Sequence, residues 1–168
     1  MANDNDPRGF IPLNLRDEDV HYYRTSTATD LFIGCPVTLL ASGYVSAQTA
    51  TGVTPVIGVC LGFAGTLKRG LATNDPYLDV SDLVPPTPSS DTGDRYASVA
   101  DNPLQEYQVQ EDTGGTALAL ADVGAATDFI YRGATAIAVN GNTDTGWANV
   151  ELDASGVVAT TAAQCQIL

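Results

Sequence analysis

From His21 onward, short runs of aromatic and β-branched residues recur between turn residues, a spacing that predicts strands. Tyr22-Tyr23-Arg24-Thr25-Ser26-Thr27 is the first such run, Val37-Thr38-Leu39-Leu40 follows Pro36, and Gly43-Tyr44-Val45-Ser46-Ala47 follows a short Ala-Ser turn. Pro55-Val56-Ile57-Gly58-Val59-Cys60-Leu61-Gly62-Phe63 reads as a buried strand whose glycines mark close backbone approach or a bulge. Further strands are predicted over residues 95–100, 107–110, 128–131, 136–139, 146–152 and 163–168. The last either closes a barrel or continues beyond residue 168. Asn140-Gly141-Asn142 signals a tight turn, and Asp112-Thr113-Gly114-Gly115 another.

Helical signals are few. Ala117 to Asp122 predicts one or two helical turns ending at Gly124, and no stretch of a dozen residues carries a helical apolar stripe. The abundant alanines are interleaved with Thr, Val and Gly, so pattern outweighs their helix propensity. The expected fold is all-β: a small β-barrel, β-tulip-like or sandwich domain with an extended N-terminal arm and at most one short helix. Strand should exceed helix several-fold.

Two segments break the pattern. Across residues 1–20, Pro7 and Pro12 forbid a regular helix between them, while Phe10, Ile11, Leu13 and Leu15 punctuate a polar background. Four large apolar groups are more than a frayed tail carries, so this segment reads as an arm that docks on something. Residues 21–168 form the body, interrupted by a Pro-rich surface loop at 84–93.

Charge narrows the function. Twenty Asp and Glu against seven Lys and Arg give a net charge of -13, and no basic cluster exceeds Lys68-Arg69, which argues against nucleic acid. No apolar run approaches the roughly 20 residues that span a bilayer, and Met1-Ala2-Asn3-Asp4-Asn5-Asp6 reverses the basic start of a signal peptide. The expectation is a protein that stays in the cytoplasm or leaves by lysis. Cys35, Cys60 and Cys165 form no C-x-x-C pair and read as free thiols, with Cys60 and Cys165 buried and Cys35 alone open to reagents.

Candidate chemistry is thin. His21, the one histidine, follows Asp17, Glu18 and Asp19, but the sequence places no nucleophile to use a His-carboxylate pair, and it reads as structural. Asp101, Glu106, Glu111, Asp112 and Asp122 lack the spacing of a calcium loop and read as a solvated acidic face; convergence of oxygens from separate loops is the alternative. Gly114, Gly115 and Gly141 are turn glycines, with no lysine after them to complete a phosphate cradle. Trp147 and the seven tyrosines suit either a sugar-binding face or a core. No metal, cofactor or enzymatic activity is expected.

Gly93-Asp94-Arg95-Tyr96, Gln105-Glu106-Tyr107-Gln108-Val109-Gln110-Glu111-Asp112, Ala121-Asp122-Val123-Gly124, Asp128-Phe129, Thr145-Gly146-Trp147 and Glu151-Leu152-Asp153 together resemble the small decoration, or cement, proteins of tailed-bacteriophage heads. The resemblance covers about residues 55 to 168 and implies a β-barrel or β-tulip body with an arm lying over capsid subunits. The chain departs from the short lambda-type member in its length and Pro-rich loop, so trimer geometry does not carry over. The resulting expectation is a non-enzymatic protein on the outer capsid surface of the virion, assembled in the host cytoplasm. Its partners would be the major capsid protein, bound through Phe10, Ile11, Leu13 and Leu15, and further copies of itself, as a trimer in preference to a dimer. A carbohydrate-binding or tail-associated adhesion module is the alternative, and a β-barrel hydrolase is disfavoured by the missing catalytic set.

Overall fold

Burial of the alternating apolar residues organises the chain around one antiparallel sheet. The computed structural model describes residues 7–25, 30–50, 54–64, 96–112, 117–132, 139–157 and 165–168. The strands are β1 (Ile11–Pro12), β2 (Val20–Arg24), β3 (Pro36–Leu39), β4 (Val45–Ala47), β5 (Val56–Ala64), β6 (Tyr96–Ala100), β7 (Tyr107–Gln108), β8 (Ala126–Thr127), β9 (Phe129–Tyr131), β10 (Val150–Leu152) and β11 (Cys165–Gln166). Five of them form a sheet in the order β2-β6-β5-β3-β4, and β1-β7, β9-β10 and β8-β11 are two-stranded ribbons. Among the described residues strand accounts for 43% and helix for 8%, so the all-β expectation holds.

The five-stranded sheet curls. Register shifts between Val37 and Thr38 and between Cys60 and Gly62 insert the irregularities that bend and twist a sheet. The glycines of β5 serve both expected roles: Gly62 lies at the second shift, and a β-carbon on Gly58 would collide with the Ala100 carbonyl oxygen. Thr25, just past β2, meets Val45 of the opposite edge strand in a single parallel bridge. The edges therefore touch at one point, and no ladder closes the barrel among the described residues.

The core runs under this sheet into the C-terminal ribbons. Val37, Val45, Val59, Cys60, Ala97 and Val99 pack in one cluster with Phe129, Tyr131, Ala148 and Val150. Phe129 meets Tyr131 edge-to-face with ring centroids 5.9 Å apart. Polar groups at this junction are paired: the Tyr131 hydroxyl donates to the Gln48 carbonyl at 2.8 Å, and Gln48 Nε2 donates to the Thr54 carbonyl at 2.9 Å.

The helical turns depart from expectation. Three single 3-10 turns occur among the described residues, at Asp17–Asp19, Leu120–Asp122 and Ala154–Gly156, where sequence predicted only the middle one. Asp153 explains the last: its carboxylate accepts from the Ser155 and Gly156 backbone N–H groups. The tight turn expected at 140–142 also falls later. Gly141 sits in an antiparallel bridge with Ala148, and Asn142 Oδ1 accepts from the Asp144 and Thr145 N–H groups to shape the turn. Gly141 has a packing role, since a β-carbon there would overlap the Phe32 ring. The Pro-rich loop at 84–93 and residues 136–138 of the strand expected at 136–139 lie outside the described residues, and Val139 is not in a strand.

Candidate functional site

The arm residues divide into two groups. Phe10 is only 7% exposed, with Tyr107 and Phe129 edge-to-face at centroid distances of 6.0 and 6.1 Å. It enters the core because the chain crosses the residue 34 turn at closest approach: the Phe10 N–H donates to the Gly34 carbonyl at 2.9 Å. Gly9 and Gly34 both have positive φ, and a β-carbon on either would strike the other segment's backbone. Phe10 is therefore corrected from a capsid-docking residue to a core residue. Ile11, Leu13 and Leu15 stay 36%, 41% and 39% exposed.

Ile11 and Leu13 sit on an anchored ribbon, and Leu15 follows it beyond Asn14, whose positive φ ends the extended run. β1 pairs with β7 through Ile11–Gln108 and Pro12–Tyr107, the Leu13 N–H donates to the Glu106 carbonyl at 2.8 Å, and Gln105 Nε2 donates to the Leu13 carbonyl. Leu104, two residues before Glu106, is 87% exposed. The described part of the arm is thus a fixed edge of the body carrying exposed apolar side chains.

His21 gains a partner that the sequence did not reveal. Its Nδ1 lies 2.8 Å from Asp101 Oδ1, and the Tyr23 hydroxyl donates to the other oxygen of the same carboxylate. The antiparallel β2-β6 register brings these residues together, with Val20 opposite Ala100 and the Asp101 N–H donating to the Asp19 carbonyl. The hydrogen bond to Asp101, then burial, pushes the Tyr23 phenol up to about 12. No hydroxyl or thiol among the described residues is hydrogen-bonded to the imidazole, so the pair ties β2 to the end of β6 and completes no nucleophilic triad.

The thiols are free, but their exposure differs from expectation. Cys35 and Cys60 are both fully buried, and Cys165 is the half-exposed one. Cys35 Sγ lies 3.0 Å from the Tyr131 hydroxyl, and burial holds its thiol up at about 12. Burial likewise raises Cys60, and Cys165 to about 12. Such thiols are poor nucleophiles.

Acidic residues do not gather into a metal centre: no cluster of three or more His, Cys, Asp or Glu suited to an ion exists among the described residues. Asp112 and Asp153 instead accept backbone N–H bonds from Ala154, Ser155 and Gly156. The carboxylate that sequence reasoning missed is Glu151, only 2% exposed in β10. Burial raises its pKa, with Arg132 opposing the shift and Asp112 adding to it. The run Val150-Glu151-Leu152 gave no signal of this, since alternation places Glu151 on the face opposite its apolar neighbours.

A concave site lies on the side of the molecule where the chain enters. Pro7, Arg8, Asn142, Thr145 and Trp147 line a cleft of about 250 Å³. Trp147 is held by a parallel bridge to Ile33, and its carbonyl accepts the Asn142 N–H at 2.8 Å. Trp147 thus belongs to a cleft wall and is half-buried. Scans against protein-family models, curated proteins and solved structures find nothing that matches this chain.

Proposed function

We propose that this protein is a non-enzymatic cement subunit that binds the outer surface of a tailed-bacteriophage head and stabilises the shell. The observation that carries the reading is the exposure of Ile11 and Leu13 on the β1-β7 edge and of Leu15 just after it, with Leu104 close in sequence to β7. Large apolar groups held out on a fixed backbone lose little entropy on docking, and their burial supplies the affinity. The net charge of -13 keeps free subunits apart until a shell surface binds them.

The expected partners are the major capsid protein and neighbouring copies of the same chain, the latter as a trimer. A ligand that binds the intact shell and not its disrupted form raises the shell's stability by mass action. Expanded heads incubated with the full chain should therefore retain DNA to a higher temperature than bare heads. In co-sedimentation, L13D and L15D should weaken attachment at least tenfold while leaving the melting temperature of the free protein within a few degrees of the original, as expected for exposed positions. Full attachment by both variants, or equal heat resistance of heads with and without the protein, would overturn the reading.

A further inference from the structure

The Trp147 cleft combines an indole with polar groups of Asn142 and Thr145 that make no hydrogen bond among the described residues. Asn142 spends its carbonyl oxygen on the Asp144 and Thr145 N–H groups, which leaves its Nδ2 donors without a partner among the described residues. The Thr145 hydroxyl and the Trp147 Nε1–H likewise have no partner there. Pro7 adds apolar surface, and Arg8 completes the lining.

Donors dominate this set, so the complementary ligand is rich in acceptor oxygens and has an apolar side to lay against the indole. A pyranose ring has both: hydroxyl oxygens around its rim and C–H groups on its faces. A cleft of about 250 Å³ lies below the roughly 300–1,000 Å³ of pockets that enclose drug-sized ligands, which limits occupancy to one sugar unit. The protein's charge of -13 opposes the approach of anions, which favours a neutral sugar over an acidic one. We infer that the cleft formed by Pro7, Arg8, Asn142, Thr145 and Trp147 binds a neutral pyranose, as a free glycoside or as the terminal unit of a glycan. This inference does not rest on the shell-binding reading, and a protein that attaches to heads yet ignores sugars overturns it alone.

Trp147 is the only tryptophan in the chain, so intrinsic fluorescence reports on this cleft with no other indole contributing. The full chain should be titrated with methyl glycosides of glucose, galactose, mannose and N-acetylglucosamine, and with methyl glucuronoside as the acidic arm. At the binding efficiency ordinary for small ligands, a single ring gives a dissociation constant on the order of 1 mM. At least one neutral glycoside should shift the emission saturably in that range and bind more tightly than the glucuronoside. N142D keeps the oxygen that shapes the turn and removes the amide donors, while T145V removes a hydroxyl from an exposed turn at nearly constant volume. Each should weaken binding about tenfold, with T145V deciding if N142D lowers the melting temperature. No saturation by any neutral glycoside, unchanged affinity in T145V, or tighter binding of the glucuronoside would overturn the inference.

Discussion

Phe10 shows how far a residue's environment can depart from its neighbourhood in sequence. Its local signals, two flanking prolines and a polar background, describe an extended segment and say nothing of the distant rings of Tyr107 and Phe129 that receive it. F10A should cost about 3 to 5 kcal/mol of stability, the usual penalty for emptying an aromatic site, read as a lower denaturation midpoint with unchanged slope. Cys35 departs from expectation for a similar reason: its neighbours in sequence do not reveal the Tyr131 hydroxyl that it faces in the core. Cys60 was legible because it sits inside a continuous apolar run. Thiol reagents at pH 8 should leave Cys35 and Cys60 untouched in the native protein and label Cys165 slowly, its thiol held near 12, whereas denatured protein labels at all three without reductant.

Elements were most legible where apolar and β-branched runs were bounded by turn residues. β3, β5 and β6 fall where their patterns predict, β3 and β5 from β-branched and apolar runs that the sheet buries and β6 from its alternation. The His21–Asp101 contact was hidden because it depends on the pairing of β2 with β6, across 80 residues of sequence. β1 gives the clearest correction: a free arm could add a strand to a partner's sheet, but this one already pairs with β7 of its own chain. Glu151 in β10 carries a pH signature. Its folded pKa lies above the ordinary 4.5, so between those two values the native state binds more protons than the unfolded one and stability falls as pH rises. E151Q removes that liability: it should melt at a higher temperature than the unsubstituted protein at pH 7, and the difference should shrink as the pH is lowered toward 4.5.

The whole molecule depends on its N-terminal segment in a way that an arm reading would not require. Phe10 joins the β1-β7 edge to the β9-β10 ribbon through its two ring contacts, and the Gly9–Gly34 crossing fixes the turn that leads into β3. Removing residues 1–12 deletes this ring, unpairs β7 and exposes part of the core, losses that together rival the 5–15 kcal/mol by which domains are stable. A detachable arm predicts a truncated protein with an intact cooperative melt. The packing predicts the opposite: residues 13–168 should show a broadened or absent thermal transition and increased binding of a hydrophobic dye, while removal of residues 1–6 alone spares Phe10 and β1 and should keep the transition. A full-strength melt after removal of residues 1–12 would return the segment to the status of an independent arm. Because truncation and loss of docking are confounded in such a chain, attachment has to be tested with single exposed substitutions such as L13D, where the core contacts of Phe10 remain in place.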